Sequence, residues 1–203
     1  EDGGWSYYLP ADLEDEHESP TPSISFTTAC VVLALERAHD AGFTVDEERL
    51  RQGLERLAAM RNAEGHFEYM SLPGEGRKDT IGASGRGPAC NLALLRAERA
   101  GLADLRRALA YFVEHRALLD HERGKALMHC GPEGLGSHYV LFDYATAAEA
   151  ISMLPESERG VLRERVLQGL LGGRSIEGSF CDNPLIGWDC GTGLALLALN
   201  HLR

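Results

Sequence analysis

Apolar positions along this chain fall into two kinds of stretch. In the first kind they are nearly continuous. Ser25 to Leu35, SFTTACVVLAL, has no charge and no polar residue larger than threonine. Such a stretch predicts a helix buried on every side, and it is too short to cross a bilayer. Related stretches recur as GPACNLALL from Gly87, FDYATAAEAI from Phe142 and DCGTGLALLAL from Asp189. In the second kind the apolar residues keep helical spacing on one face. Leu50, Leu54, Leu57 and Ala58 form one stripe, with Arg49, Arg51, Glu55 and Arg56 on the other side. Leu105, Ala108, Leu109, Phe112 and Val113 form a second, and Leu162, Val166 and Leu170 a third. Buried helices alternating with striped ones predict two layers, an inner and an outer.

Local signals place the elements. The first inner helix spans about Ser25 to His39 and stops at Gly42. Thr44 and Glu47 make a T-x-x-E pattern that predicts a capping box for the next helix. Pro88 suits a first helical turn, so the second inner helix is expected from Pro88 to Ala100, and its partner from Asp104 to Leu119. The third inner helix starts near Ser137 and is ended by Pro155, after which Ser157 can cap its partner. The last runs from Gly191 to Leu202. Alternation with a period of two hardly occurs, so no strand is predicted.

A short motif punctuates the array. GGWSY at Gly3 to Tyr7 is echoed by GHFEY at Gly65 to Tyr69 and GSFCD at Gly178 to Asp182, with MHCG at Met128 to Gly131 in the corresponding place of the third unit. Gly65 and Gly178 stand two units apart, giving a period somewhat above 50 residues. The chain therefore divides into repeats of approximately 1–64, 65–125, 126–177 and 178–203 within one domain. The recurring aromatics, Trp5, Tyr7, Phe67, Tyr69, Phe180 and Trp188, read as packing between units. The fourth repeat stops at an inner helix, so its open face is expected to meet another domain, another subunit or further chain.

Composition narrows the partners. The 203 residues carry 31 acidic and 20 basic side chains, a net charge of −11, with no Lys/Arg cluster. That argues against nucleic acid and anionic membrane surfaces as partners. No segment reaches transmembrane length and no signal peptide opens the chain. A start at Glu1 reads as a processed protein or an excised domain, so the compartment stays open. The Gly-rich stretch Ser71 to Arg86 lacks the G-x-x-x-x-G-K-[ST] pattern and a strand ahead of it, which argues against a phosphate loop. Five cysteines do not make a disulfide framework in a chain this size. Cys30 and Cys90 occupy matching core places, whereas Cys130, Cys181 and Cys190 lie in or beside loops.

The Gly-aromatic turns, with inner helices of the form S/T-x-x-T-A-x-x-x-L-A-L, resemble the α/α-toroid superfamily. That superfamily includes terpene cyclases, protein prenyltransferase β subunits and bacterial proteins with prenyltransferase/squalene-oxidase repeats of unassigned activity. The resemblance covers the whole chain and is strongest to the last group, through GGWSY, SFTTACVVLAL, GSHYVLFDYATAAEAISMLP and CGTGLALLAL. It implies an all-α fold of repeated αα-hairpins, forming a partial or complete ring around a central groove. It specifies architecture better than activity.

The family's chemistry can be tested on these residues. Squalene–hopene cyclases use D-x-D-D-T-A to protonate an alkene. Here Phe26 and Thr27 precede Thr28-Ala29, and Tyr144 and Ala145 precede Thr146-Ala147, so the acids are missing. Prenyltransferases hold zinc through Asp, Cys and His near the starts of inner helices. His138, Asp189 and Cys190 are the corresponding candidates, although the family spacing is D-x-C with the His later in the chain. His129, Cys130, Cys181 and Asp182 lie in the neighbouring loops. Independently, Asp143 and Asp189 each stand three residues before a Thr in aligned helices, a placement suited to an acid–base pair. Tyr139, Phe142 and Tyr144, with His138, are the expected wall of a ligand cavity. The expected function is a domain binding an apolar, isoprenoid-like molecule or a partner chain in its groove. The competing expectation is an enzyme on an isoprenoid or lipid substrate, with zinc as its one candidate cofactor.

Overall fold

The computed structural model describes residues 2–7, 22–71, 80–123 and 139–203. Among them the chain forms seven helices: α1 (Ser25–Asp40), α2 (Glu47–Ala59), α3 (Thr80–Arg96), α4 (Leu102–Glu122), α5 (Val140–Ser152), α6 (Glu156–Gly172) and α7 (Gly187–His201). No strand occurs among the described residues, only isolated bridges within and between the corners. The fold is an all-α helical repeat. Consecutive helices pair as hairpins, α1 with α2, α3 with α4 and α5 with α6. The odd-numbered helices also pack side by side in the order α1, α3, α5, α7, while α4 packs on α6. The sequence's two kinds of stretch thus become two rows.

Burial follows the stripes. Leu54 and Leu57 of α2, Leu105, Leu109 and Phe112 of α4, and Val166 and Leu170 of α6 all reach the core. The inner row is less uniform than its composition predicts. α5 is buried almost throughout. At the two ends of the row, Ala34 of α1 and Leu196 and Leu197 of α7 are exposed. A terminal helix has a neighbour on one side only, so complete burial of α1 is not achieved.

Several boundaries differ from expectation for local reasons. Asp46, not Thr44, caps α2: its carboxylate accepts the Arg49 N–H at 3.0 Å. α3 begins at Thr80 and carries Pro88 inside it. The glycines ahead of Pro88 therefore belong to a helix, and packing explains one of them. A Cβ on Gly85 would lie 2.3 Å from Asp143 Oδ2 of α5. α7 begins before Gly191, at Gly187, and Pro155 rather than Ser157 holds the cap position of α6.

Three of the four predicted corners lie among the described residues and share one backbone conformation; Met128 to Gly131 lies outside them. Gly3, Gly65 and Gly178 have φ of 97°, 87° and 94°, where a side chain is strained. Each of the two internal corners is closed alike, with Gly65 N–H donating to Asn62 O and Gly178 N–H to Ser175 O, both at 3.0 Å. The first and fourth corners then hook onto inner helices. Trp5 N–H donates to Thr28 Oγ1 and Phe180 N–H to Thr192 Oγ1, again both at 3.0 Å. Thr28, and Thr192 at the matching place of α7, thus accept from their own unit's turn, whereas Thr146 donates to Phe142 O and Asp143 O within α5.

Two neighbouring glycines of α7 give a paired prediction. A Cβ at Gly191 would sit 2.5 Å from Phe180 O and 3.0 Å from Asp182 N, both backbone atoms, whereas nothing lies within 4 Å of one at Gly193. Gly191→Ala is expected to lower stability in urea by about 1–3 kcal/mol through overpacking. Gly193→Ala is expected to raise it by up to about 1 kcal/mol through helix propensity. Equal shifts in the two denaturation midpoints would contradict this packing.

Candidate functional site

The N-terminal ends of the inner helices converge with the corners, and this end of the row carries most of the candidate chemistry. α1 begins beneath the second corner, where Ser25 N–H donates to Tyr69 O at 3.0 Å. α5 begins beneath the fourth, where the Asp182 carboxylate accepts Val140 N–H at 2.9 Å and Leu141 N–H at 3.1 Å. These are two of the amide donors that a helix start leaves open. Asp182 is 1% exposed, and burial pushes its carboxyl up to about 6 against the opposing pull of those two N–H groups. Asp182 therefore serves as a helix cap supplied from the next unit.

Four aromatic rings gather at this mouth. Phe26, in the first turn of α1, lies 5.9 Å from Tyr7, 6.2 Å from Tyr69 and 6.4 Å from Tyr139, centroid to centroid. Such spacings are favourable for tilted and edge-on rings. The Tyr7 and Tyr69 hydroxyls are hydrogen-bonded to each other. Tyr7 and Tyr139 remain 44% and 38% exposed, so the cluster is open to an incoming molecule. Arg86 of α3 flanks it: its guanidinium donates to Phe67 O at 2.9 Å and stands 5.8 Å from the Tyr69 ring centroid.

Asp143 lies one helical turn below Tyr139, with its N–H bonded to Tyr139 O at 3.1 Å. It is 3% exposed and faces Gly85 of α3. Cys30 lies close enough to feel its charge. Burial, with the Asp143 carboxylate adding to it, pushes the Cys30 thiol up to about 12. Burial likewise raises Cys90. Both thiols are protonated and unreactive at neutral pH.

The other sequence candidates are distributed as follows. Phe142 is half-buried beside Asp143. Tyr144 is 0% exposed, deep between α4 and α5; its hydroxyl donates to Asp120 at 2.8 Å and its ring meets Phe112 edge-on at 5.4 Å. Asp189 and Cys190 are exposed on the first turn of α7, whereas Asp143 is turned towards α3 on the opposite side of α5. His138, His129 and Cys130 lie outside the described residues. Among the described residues no three His, Cys, Asp or Glu side chains are grouped to hold a metal ion. Nor is any described helix long and apolar enough to cross a membrane. A basin of about 600 Å³ at the opposite end of the inner row is bridged by Arg96, which donates to Glu36 at 3.2 Å and to Asp40 at 2.5 Å.

The sequence did not single out Phe26 and Arg86. Their signal was nonetheless present. Phe26 occupies the place where the cyclase motif carries an acid, and Arg86 is the one cation between the glycines of α3 and Pro88.

No family model matches the chain, and no curated protein matches it. Among solved structures, the native form of E. coli alpha-2-macroglobulin aligns with 100% of this chain at 19% identity and a TM-score of 0.49. Salmonella alpha-2-macroglobulin reacted with methylamine aligns over the same extent at 18% identity and 0.48. The chain spans 13% of the length of each. The functional reading therefore rests on the site itself.

Asp182 gives this end of the molecule a pH signature. With a folded-state pKa near 6 against an ordinary 3.8, the folded chain binds more protons than the unfolded one between those values. Stability attributable to Asp182 therefore falls as pH rises from about 4 to about 6 and is level outside that window. Asp182→Asn removes this dependence. The unfolding free energy of wild type minus that of the variant should fall from pH 4 to pH 6, by on the order of 2–3 kcal/mol. A gap that stays constant across that range would contradict the assignment.

Proposed function

We propose that this chain is an arc of an α/α-toroid whose inner-helix mouth binds an apolar, isoprenoid-like molecule. The observation that carries this reading is the aromatic cluster around Phe26. Its rings are close enough to hold one another in place, yet two of them are open to solvent. Aromatic walls with a few fixed polar groups are the usual construction of a small-molecule site. The resemblance to prenyltransferase/squalene-oxidase repeats supports the class of ligand, and the acidic surface disfavours polyanionic partners. A partner chain inserting an apolar side chain is the other occupant this surface would take.

Titration with farnesol, followed by tyrosine fluorescence and calorimetry, tests the reading. Saturable binding is expected, and Phe26→Ala should weaken it at least tenfold with little change at Asp189→Asn. Absence of saturable binding, or equal affinity in Phe26→Ala, would overturn it.

A second reading has its own observation. Asp143 is a buried carboxyl one turn beneath the ring of Tyr139. Protonation of an alkene needs a carboxyl group shielded from water, and burial of Asp143 supplies that shielding. On this reading, incubation with a linear polyprene yields a cyclised or hydrated product, and Asp143→Asn abolishes the product while farnesol binding persists. Binding without product would leave the domain a binding module.

A further inference from the structure

Among the described residues, α7 is an inner helix without a hairpin partner, and the repeats show what its bare face is shaped to receive. The motif pairs Thr28-Ala29, Pro88-Ala89, Thr146-Ala147 and Thr192-Gly193 align the inner helices. Counting on from there, Val32 and Leu33 of α1, Leu92 and Ala93 of α3, and Ala150 and Ile151 of α5 correspond to Leu196 and Leu197 of α7. In α1, α3 and α5 these residues, and the alanine before them, are all buried. Each of those helices has its outer partner, α2, α4 or α6. In α7, Leu196 and Leu197 are 59% and 55% exposed, and nothing lies within 4 Å of a Cβ on Gly193. The same three positions thus turn from core to surface where the outer helix is missing.

The fourth corner repeats the pattern independently. A Cβ on Gly3 would lie 3.2 Å from Gln52 O of α2, and one on Gly65 would lie 3.7 Å from Arg107 Nη2 of α4. Gln52 and Arg107 hold matching places, each two residues beyond the first leucine of its stripe. At Gly178 the atoms nearest to such a Cβ belong to Arg174, inside the same corner. The acid beside the glycine follows suit. Asp2, just before Gly3, stands 3.4 Å from Arg56 Nε near the C-terminal end of α2. Glu177, just before Gly178, is exposed and has no ion pair among the described residues.

We infer that the α7 face and the fourth corner seat an amphipathic helix of the outer-row kind. It lies antiparallel to α7, sets a leucine stripe against Gly193, Leu196 and Leu197, and brings a basic side chain near its C-terminal end to Glu177. Docking of this sort reads apolar anchors at i, i+4 and i+7 of a helix. Three copies of the interface already exist in the molecule, and this one continues the row α2, α4, α6. The stripe of α2 is the best match, because Ala29, Val32 and Leu33 of its partner α1 are closest in size to Gly193, Leu196 and Leu197. The inference stands apart from the aromatic mouth and does not depend on its ligand.

A copy of residues 46–60, joined after Arg203 of the full chain by a short glycine–serine linker, is the probe. Tethering compensates for the poor helicity of so short a segment alone. Amide exchange across residues 193–200 is expected to slow about tenfold or more relative to the unextended chain. The slowing should vanish when the three leucines of the probe are replaced by serine. It should vanish equally when Leu196→Ser and Leu197→Ser are combined; both side chains are exposed, so the circular dichroism of the unextended double variant should match wild type. Unchanged exchange in the extended chain, or equal slowing with the serine probe, would overturn the inference. So would self-association of the unextended chain in sedimentation velocity that the double variant abolishes, since a second copy would then hold the face.

Discussion

The close approach of the inner helices is the constraint on which the molecule depends. Helix axes come this near only where side chains are small, and the inner row meets that condition with alanine and glycine: Ala89 and Ala93 in α3, Ala147, Ala148 and Ala150 in α5, Ala195 and Ala198 in α7, all buried. At two points even a methyl group is excluded, Gly85 against the Asp143 carboxylate and Gly191 against the backbone of the fourth corner. In a row packed that tightly, a volume change at one contact is felt by the next. Bulk is supplied instead by the outer row, through leucines and Phe112.

Function follows from what a tight row leaves at its ends. Helix starts expose amide donors, and here the corners of neighbouring units cover them, through Tyr69 O for α1 and the Asp182 carboxylate for α5. Thr28 and Thr192, at matching positions, tie the first and fourth corners back to their own helices. The corners are thereby held rigidly enough to present side chains as fixed groups. Tyr7 and Tyr69 come from corners, Phe26 and Tyr139 from the helices beneath them, and together they make one surface.

Much of this architecture is legible in the sequence because burial is a property of pattern. A run such as FDYATAAEAI has only one way to avoid water, and Leu50, Leu54 and Leu57 have only one face to give. The glycine corners are equally legible, since Gly3, Gly65 and Gly178 need a left-handed backbone. What could not be read depends on pairings far apart in the chain. Pro88 looks like a helix start until Gly85 is seen against Asp143. Thr44 and Glu47 spell a capping box, yet Asp46 is nearer to the amide it must meet. Asp182 resembles a loop ligand in sequence and is a helix cap in space. At the site, Tyr139, Phe142 and Asp143 could be marked as a group because they share one helix turn. Phe26 and Arg86 could not, because they join that group from other helices. Tyr144, a neighbour of Asp143 in sequence, turns to the opposite side and reaches Asp120.

The account's central claim is that α5 is the enclosed centre of a tightly packed inner row and that α1 and α7 are its open ends. Native-state amide hydrogen exchange tests it most directly, because local stability tracks burial and neighbour contacts. The account predicts that amides of residues 145–151 in α5 exchange slowest, with those of α3 close behind. The exposed faces of α1 and α7, around Ala34 and Leu196, should exchange markedly faster. Protection in α7 equal to that in α5, or opening of α5 before the outer helices, would contradict it.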